Sequence, residues 1–251
     1  MVRILVPYHL DERLDDLDLP LAPADAIVTA ELQDGDAWSR MARLYDELGE
    51  RVAATVRGGA RPIVLSGDCT ASLGTMAGLQ RAGMEPSIVW YDAHGDVQTL
   101  ETTHSGYLGG FPLRILVGYR PELIAARLGL RPVAEECVVL VDARDLDPPE
   151  VTYLERAAIQ RSEVADLDAD RLPDGPLYLH LDLDVVDPEQ LPGLRYPAPG
   201  GLGWPPVADS VRRVLDSGRV AAVGIGCTWH PGRGAGERAS SELEGVLRAW
   251  G

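Results

Sequence analysis

Three side chains that can bind a metal ion, Asp92, His94 and Asp96, come directly after the apolar run 88–91. If the chain stays extended, this alternation places the three side chains on one face. Carboxylates combined with one imidazole suit a hard or borderline divalent cation such as Mn²⁺. The end of an apolar strand is also where open α/β sheets place their sites. The segment therefore predicts metal binding, and the alternative is a strand cap with solvated loop acids.

A second apolar run, 177–184, ends in Asp182 and Asp184 with the same alternation. Burying carboxylates at strand ends is costly unless cations neutralise them. If both runs end at the same edge of a sheet, four aspartates and one histidine converge. That charge is too negative for one cation but suits two that share carboxylate ligands. The two segments together predict a two-metal site.

Composition limits the classes of protein to consider. The chain has 251 residues, 45% of them hydrophobic, which predicts a single α/β domain over 1–251. A formal net charge of −16 argues against nucleic acid or an anionic membrane as a partner. No apolar run approaches the ~20 residues of a membrane span. Three scattered cysteines cannot form a disulfide framework, so we expect a cytoplasmic protein.

Apolar periodicity predicts alternating strands and helices. Strands are expected at 2–7, 62–65, 88–91, 137–141, 177–184 and 220–226. Helices are expected at 37–57, 71–81, near 121–128, 151–160, 205–215 and 240–250. The acidic stretch 11–36 has no clear period and is expected to be irregular. This alternation predicts a largely parallel sheet covered on both faces.

Four motifs occur in an order that resembles a known family. They are SGDC at 66–69, DAHGD at 92–96, SGYLGG at 105–110 and DLD at 182–184. Together they resemble the arginase/ureohydrolase superfamily. The resemblance implies a three-layer α/β/α fold with a central, mostly parallel sheet of about eight strands. It also implies a small-molecule substrate and hydrolysis of guanidino or related C–N bonds on two manganese ions.

The resemblance also implies a role for each metal ligand. The implied ligands are Cys69, Asp92, His94, Asp96, Asp182 and Asp184. Asp92 and Asp182 would bridge both ions, and Asp96 would also relay a proton. Cys69 stands where arginases have a ligand histidine. Because a thiolate favours softer ions, Zn²⁺ and Fe²⁺ are alternatives to Mn²⁺ as the pair of divalent ions.

The residues that contact the substrate in the family match this sequence less completely than the metal ligands do. The positions of Ser105 and Asp147 contact the amino-acid end of the substrate in the family. Gln98 stands where an asparagine holds the substrate carboxylate. Cys227 stands, on an ungapped alignment, where a glutamate pairs with the guanidinium, so it is a candidate substrate contact.

Gly109 stands where arginases have the histidine that shuttles protons. His104, five residues earlier, is the candidate replacement as a catalytic residue. Cys69 together with the stretch 96–110 resembles the Nω-hydroxy-L-arginine hydrolase branch of the superfamily. A hydroxyguanidine is less basic than a guanidine, so a site without the carboxylate at position 227 could still bind it.

The sequence therefore predicts a metal-dependent hydrolase of guanidino or N-hydroxyguanidino compounds, in which an activated water attacks the central carbon. One alternative is hydrolysis of a different amide or formimino substrate on the same metals, because the changes at Gly109 and Cys227 touch the substrate. Another is a non-catalytic, metal-binding member of the family. A homo-oligomer is compatible with all three.

Overall fold

The computed structural model describes residues 1–18, 21, 23–32 and 34–250. The strands are β1 (Val2–Val6), β2 (Tyr8–His9), β3 (Glu12–Arg13), β4 (Ala26–Ile27), β5 (Pro62–Ser66), β6 (Ser87–Asp92), β7 (Val138–Asp142), β8 (Gln160–Ser162), β9 (Leu177–Asp182) and β10 (Val220–Gly226). The helices are α1 (Ala37–Arg57), α2 (Ser72–Arg81), α3 (Pro112–Leu116), α4 (Ala125–Leu128), α5 (Pro148–Leu154), α6 (Trp204–Asp216) and α7 (Ala235–Trp250).

Eight strands form one sheet in the order β4-β1-β5-β10-β9-β6-β7-β8, and every neighbouring pair is parallel. Strands β5, β6 and β9 are buried along their whole length, as expected for strands covered on both faces. A separate antiparallel hairpin joins β2 to β3. The predicted central parallel sheet is confirmed.

Two apolar clusters, one on each face of the sheet, make the three layers. One contains the buried sides of α1 and α2, and the other contains those of α6 and α7. Helix α1 has the predicted bounds and begins at Asp36, whose side chain accepts a hydrogen bond of 2.7 Å from Ser39 N. The three-layer α/β/α prediction is therefore confirmed.

Close packing of α1 on α2 fixes the turn that carries Cys69. A Cβ atom at Gly74 would lie 2.9 Å from the Tyr45 Cβ, and one at Gly78 would lie 2.6 Å from the Val52 Cβ. Glycine at these two positions therefore lets the helices approach. The 3₁₀ turn Cys69–Ala71 precedes α2 directly, so this packing also positions the thiol.

Several predicted elements were wrong. The expected helix 151–160 is instead the shorter α5, and residues 160–162 form β8. The stretch 11–36 contains β3 and β4, although residues 19, 20, 22 and 33 lie outside the described part. Helix α7 begins five residues earlier than expected, at Ala235. Within the described ranges, no helix is both long and apolar enough to cross a membrane.

Candidate metal centre

The carboxyl ends of neighbouring strands bring the acidic residues together. Asp92 is the last residue of β6, and Asp182 is the last residue of β9. Strand β10 ends beside them at Gly226, which is in register with Asp182. A Cβ atom at Gly226 would lie 3.3 Å from both the Cys69 Sγ and the Asp182 Oδ2. The bare glycine therefore leaves room for the two donors to meet.

Turns, not extended alternation, create this convergence. Strand β6 stops at Asp92, and Asp96 has a φ of +53°, in the left-handed region. Asp184 lies in the 3₁₀ turn Leu183–Val185, where its backbone N donates to Asp182 Oδ1 at 3.0 Å. The expectation of one extended face was therefore wrong, although the side chains do meet.

The first donor group, which we call the His94 group, contains Asp92, His94 and Asp184. His94 Nδ1 lies 2.9 Å from Asp184 Oδ2 and 3.4 Å from Asp92 Oδ1. Burial opposes the charge on His94, but the two carboxylates outweigh it and raise the pKa of His94 to about 12. Burial likewise opposes ionisation of Asp92, yet hydrogen bonds from His94 hold the pKa of Asp92 below its ordinary value.

The second donor group, which we call the Cys69 group, contains Cys69, Asp92 and Asp96. Cys69 Sγ lies 2.8 Å from Asp182 Oδ2 and donates to it. Asp96 Oδ2 is buried without a hydrogen-bond partner. Burial, together with the charges of Asp92 and Asp182, raises the pKa of Asp96 well above its ordinary value. Burial and Asp182 raise the pKa of the Cys69 thiol in the same way.

These two groups fit a pair of divalent cations. In each group the donor atoms lie within 4.8 Å of one another, and Asp92 belongs to both. Buried, mutually repelling carboxylates need a positive charge to stay ionised, and the unpartnered Asp96 oxygen offers a free donor for one. Imidazole and carboxylate suit Mn²⁺, whereas the thiol also suits softer ions.

A cavity of about 390 Å³ opens above the donor groups. Three of the predicted substrate contacts, Gln98, Ser105 and Asp147, line it. The Gln98 amide donates to Asp147 Oδ2 at 2.8 Å and accepts from Thr102 Oγ1 at 3.0 Å. The structure therefore brings these residues to the predicted metal ligands, and their contact with a substrate stays a prediction.

Cys227 and His104 are not brought to the cavity. Cys227 is fully buried in the apolar cluster that also contains α6 and α7, and its backbone N donates to Ser66 O at 2.7 Å. The next residue, Thr228, lines the cavity instead. His104 is exposed on the loop after Thr103 and does not line the cavity. These placements give no support to the predicted roles of Cys227 and His104.

Sequence reasoning assigned no role to several residues that line the cavity, among them Tyr107, Glu150, Tyr196 and Thr228. Glu150 accepts from Val97 N at 3.2 Å and from Asp147 N at 3.1 Å, so it holds the loop after β6 to the start of α5. A glutamate three residues after the aspartate that precedes a helix is a capping signal and could have been found. Thr228 Oγ1 donates to Asp182 Oδ1 at 2.9 Å, a contact without a sequence signal.

Parallel strands that end beside two groups of potential metal donors are typical of metal-dependent α/β enzymes. The model of the arginase family matches residues 8–226, so the chain belongs to the arginase family. It is 33% identical to the arginase of Bacillus caldovelox over 223 residues, covering 81% of this chain and 73% of the relative.

The arginase of Bacillus subtilis is 29% identical over 236 residues, covering 85% of this chain and 78% of the relative. The native crystal structure of the B. caldovelox arginase superposes with a TM-score of 0.79 at 25% identity and covers 98% of both chains. The predicted superfamily is therefore confirmed, and the chain is an arginase-family hydrolase of C–N bonds in linear amidines.

Proposed function

We propose that this chain hydrolyses the C–N bond of an N-hydroxyguanidino amino acid similar to Nω-hydroxy-L-arginine, in preference to L-arginine. The proposal is supported by the two donor groups, which lie at the floor of the cavity. The end of β10 supplies no acidic side chain to the wall of that cavity. At that end the chain reads Gly226, Cys227 and Thr228. An amidine bound above the donor groups therefore meets a neutral side chain from this strand.

The charge of the substrate decides between the two candidates. A buried guanidinium that lacks its carboxylate partner is destabilised by roughly 3–5 kcal/mol. A hydroxyguanidine is less basic, so more of it is neutral near pH 7 and that penalty is smaller.

The residues of the cavity have separate roles in this proposal. Two divalent cations, with Mn²⁺ as first choice and Zn²⁺ or Fe²⁺ as alternatives on the Cys69 side, would supply Lewis-acid charge and make a water acidic. One oxygen of Asp96 would hold a cation, and the other oxygen of the same carboxylate accepts a proton from the attacking water and returns it to the leaving nitrogen. Asp147, held by Gln98, attracts the ammonium of the amino-acid end.

The test compares four substrates on the Mn²⁺-loaded protein: L-arginine, agmatine, 4-guanidinobutyrate and Nω-hydroxy-L-arginine. We expect hydroxyurea from the last, with a kcat/KM roughly tenfold or more above that for arginine, and no product after treatment with a chelator. Equal or better turnover of arginine would contradict the preference. No urea or hydroxyurea from any of the four would contradict the proposed reaction, and release of formamide from formimino compounds would replace it.

A further inference from the structure

The ring of Tyr107 occupies the space directly above Gly109. A Cβ atom at Gly109 would lie 2.2 Å from the Tyr107 Cζ and 2.3 Å from its Oη. No other residue at position 109 is compatible with this ring position. The ring of Tyr107 also lies against that of Tyr196, with centroids 4.7 Å apart, and stacks on that of His9 at 5.6 Å and 15°. Tyr107 is therefore a fixed part of the cavity wall.

His9 is held in place by the loop that follows β5. Gly67 N donates to Tyr8 O at 2.9 Å, and a Cβ atom at Gly67 would lie only 2.4 Å from that oxygen. The buried His9 ring places its Nδ1 3.0 Å from Gly67 O. A carbonyl oxygen can only accept a hydrogen bond, so Nδ1 must carry the hydrogen.

This tautomer determines the direction of the next hydrogen bond. His9 Nε2 lies 3.3 Å from Tyr107 Oη. In a neutral imidazole protonated at Nδ1, Nε2 can only accept, so Tyr107 donates its hydrogen to His9. The Tyr107 oxygen then keeps its lone pairs, and the cavity that it lines meets an acceptor there, not a donor.

We propose that the Tyr107 oxygen, oriented by His9, is the hydrogen-bond acceptor that recognises an N–H or O–H group of the bound amidine. This inference rests on the proposed function and names a specificity-determining residue for it. A guanidinium gains less from this neutral oxygen than from a carboxylate at the same place, whereas an uncharged hydroxyguanidine needs no anionic partner there. Cys69 and Asp96 line the same cavity, so this acceptor and the donor groups can contact one ligand.

The kinetic test replaces Tyr107 with phenylalanine, which keeps the ring and removes the oxygen. We expect the KM for Nω-hydroxy-L-arginine to rise roughly tenfold, the effect of one lost hydrogen bond, with kcat changed less than about threefold. Tyr153→Phe is the matched control, because it removes a half-buried phenol oxygen bonded to Arg114 and Glu135 outside the cavity. An unchanged KM in Tyr107→Phe would overturn the proposal.

A second readout does not depend on catalysis. In the Zn²⁺-loaded protein, which is diamagnetic, ¹⁵N NMR of labelled histidines at pH 8 should show His9 protonated at Nδ1 and unprotonated at Nε2. Added N-hydroxyguanidine should shift the Nε2 signal of the native protein and leave that of Tyr107→Phe unchanged. A proton on Nε2, or the same shift in both proteins, would overturn the proposal even if hydrolysis is observed. The expected shift without any hydrolysis would support the acceptor and reject the proposed reaction alone.

Discussion

The two donor groups share Asp92 but differ in how they satisfy their charges. In the His94 group every carboxylate has a hydrogen-bond donor, and 29% of the His94 side chain is exposed. The Cys69 group is fully buried, and the Asp96 Oδ2 has no hydrogen-bond partner in the described structure. In the His94 group, the imidazole of His94 therefore neutralises part of the carboxylate charge, whereas the Cys69 group contains no positively charged side chain.

This difference shows where a cation has the larger effect. A protonated His94 already lies between Asp92 and Asp184, so an entering metal ion must displace that proton. In the Cys69 group, the Cys69 thiol is neutral until it loses its proton, and the like charges of Asp92 and Asp182 outweigh the opposite charge of His94 at Asp96. Donor softness also differs, because one group offers an imidazole and the other a thiol.

The largest effect is expected from Asp92→Asn, because Asp92 belongs to both groups. Loss of the shared carboxylate should release bound metal and lower kcat roughly a thousandfold, about 4 kcal/mol. Metal analysis and turnover measure this, with the exposed Asp174→Asn as the control. If the Asp92→Asn variant keeps both ions and its activity stays within tenfold of the native protein, the two groups do not share Asp92 as a ligand.

The next effect separates the two groups by metal preference. Cys69→Ser replaces a soft donor with a hard one, so Zn²⁺ affinity should fall about a hundredfold at one position while Mn²⁺ affinity changes less. His94→Asn should lower the metal affinity of the His94 group and leave the preference of the Cys69 group for Zn²⁺ unchanged. Competition between Zn²⁺ and Mn²⁺ in equilibrium dialysis measures both variants, and identical metal selectivity in the two would contradict the assignment.

A smaller effect is expected from Thr228→Val, which removes the hydroxyl that donates to Asp182 Oδ1. Loss of a partner that orients a ligand typically lowers metal affinity by roughly tenfold or somewhat more. Thr55→Val, at a half-buried position of α1 away from the cavity, is the matched control. If both substitutions leave the metal affinity equal to that of the native protein, the Thr228 contact does not orient Asp182.

The smallest effect is the pH dependence of stability in the metal-free protein. The pKa values of Asp96, Asp182 and Asp184 are raised by burial and by their acidic neighbours, and His94 is raised to about 12. Groups with a raised folded pKa stabilise the fold at low pH, and this contribution is lost as pH rises. The lowered pKa of Asp92 acts in the opposite sense only at more acidic pH.

The free energy of unfolding of the metal-free protein should therefore fall between pH 5 and pH 8. Thermal melts across this range measure it, and Asp96→Asn should give a shallower slope because one buried carboxyl is gone. Metal uptake should release protons, measurable by calorimetry in buffers of different ionisation enthalpy. A melting temperature that rises with pH in the metal-free protein would contradict the assigned shifts.

Much of the fold was predictable because its central elements are strongly patterned. The long amphipathic α1 and the apolar β5, β6 and β9 follow directly from periodicity. Strand β8 was missed because it has three polar residues, mostly exposed at the sheet edge, so no apolar run marks it. Tertiary pairing, not local pattern, makes it a strand.

The convergence of the acidic side chains was predictable where they end apolar strands, as for Asp92 and Asp182. The candidate site was not predictable where the contact depends on chain segments that are far apart, such as His9 with Tyr107, 98 residues away. Cys227 illustrates a different limit, because a one-residue change of direction after β10 places Thr228, not Cys227, on the cavity wall.

The most direct test of the two-group account is metal stoichiometry. The protein is saturated with Mn²⁺, dialysed, and analysed for metal per chain beside the double variant Cys69→Ser/His94→Asn. We expect two ions per native chain and a clear loss in the double variant. One ion or fewer per native chain, with no change in the double variant, would contradict it.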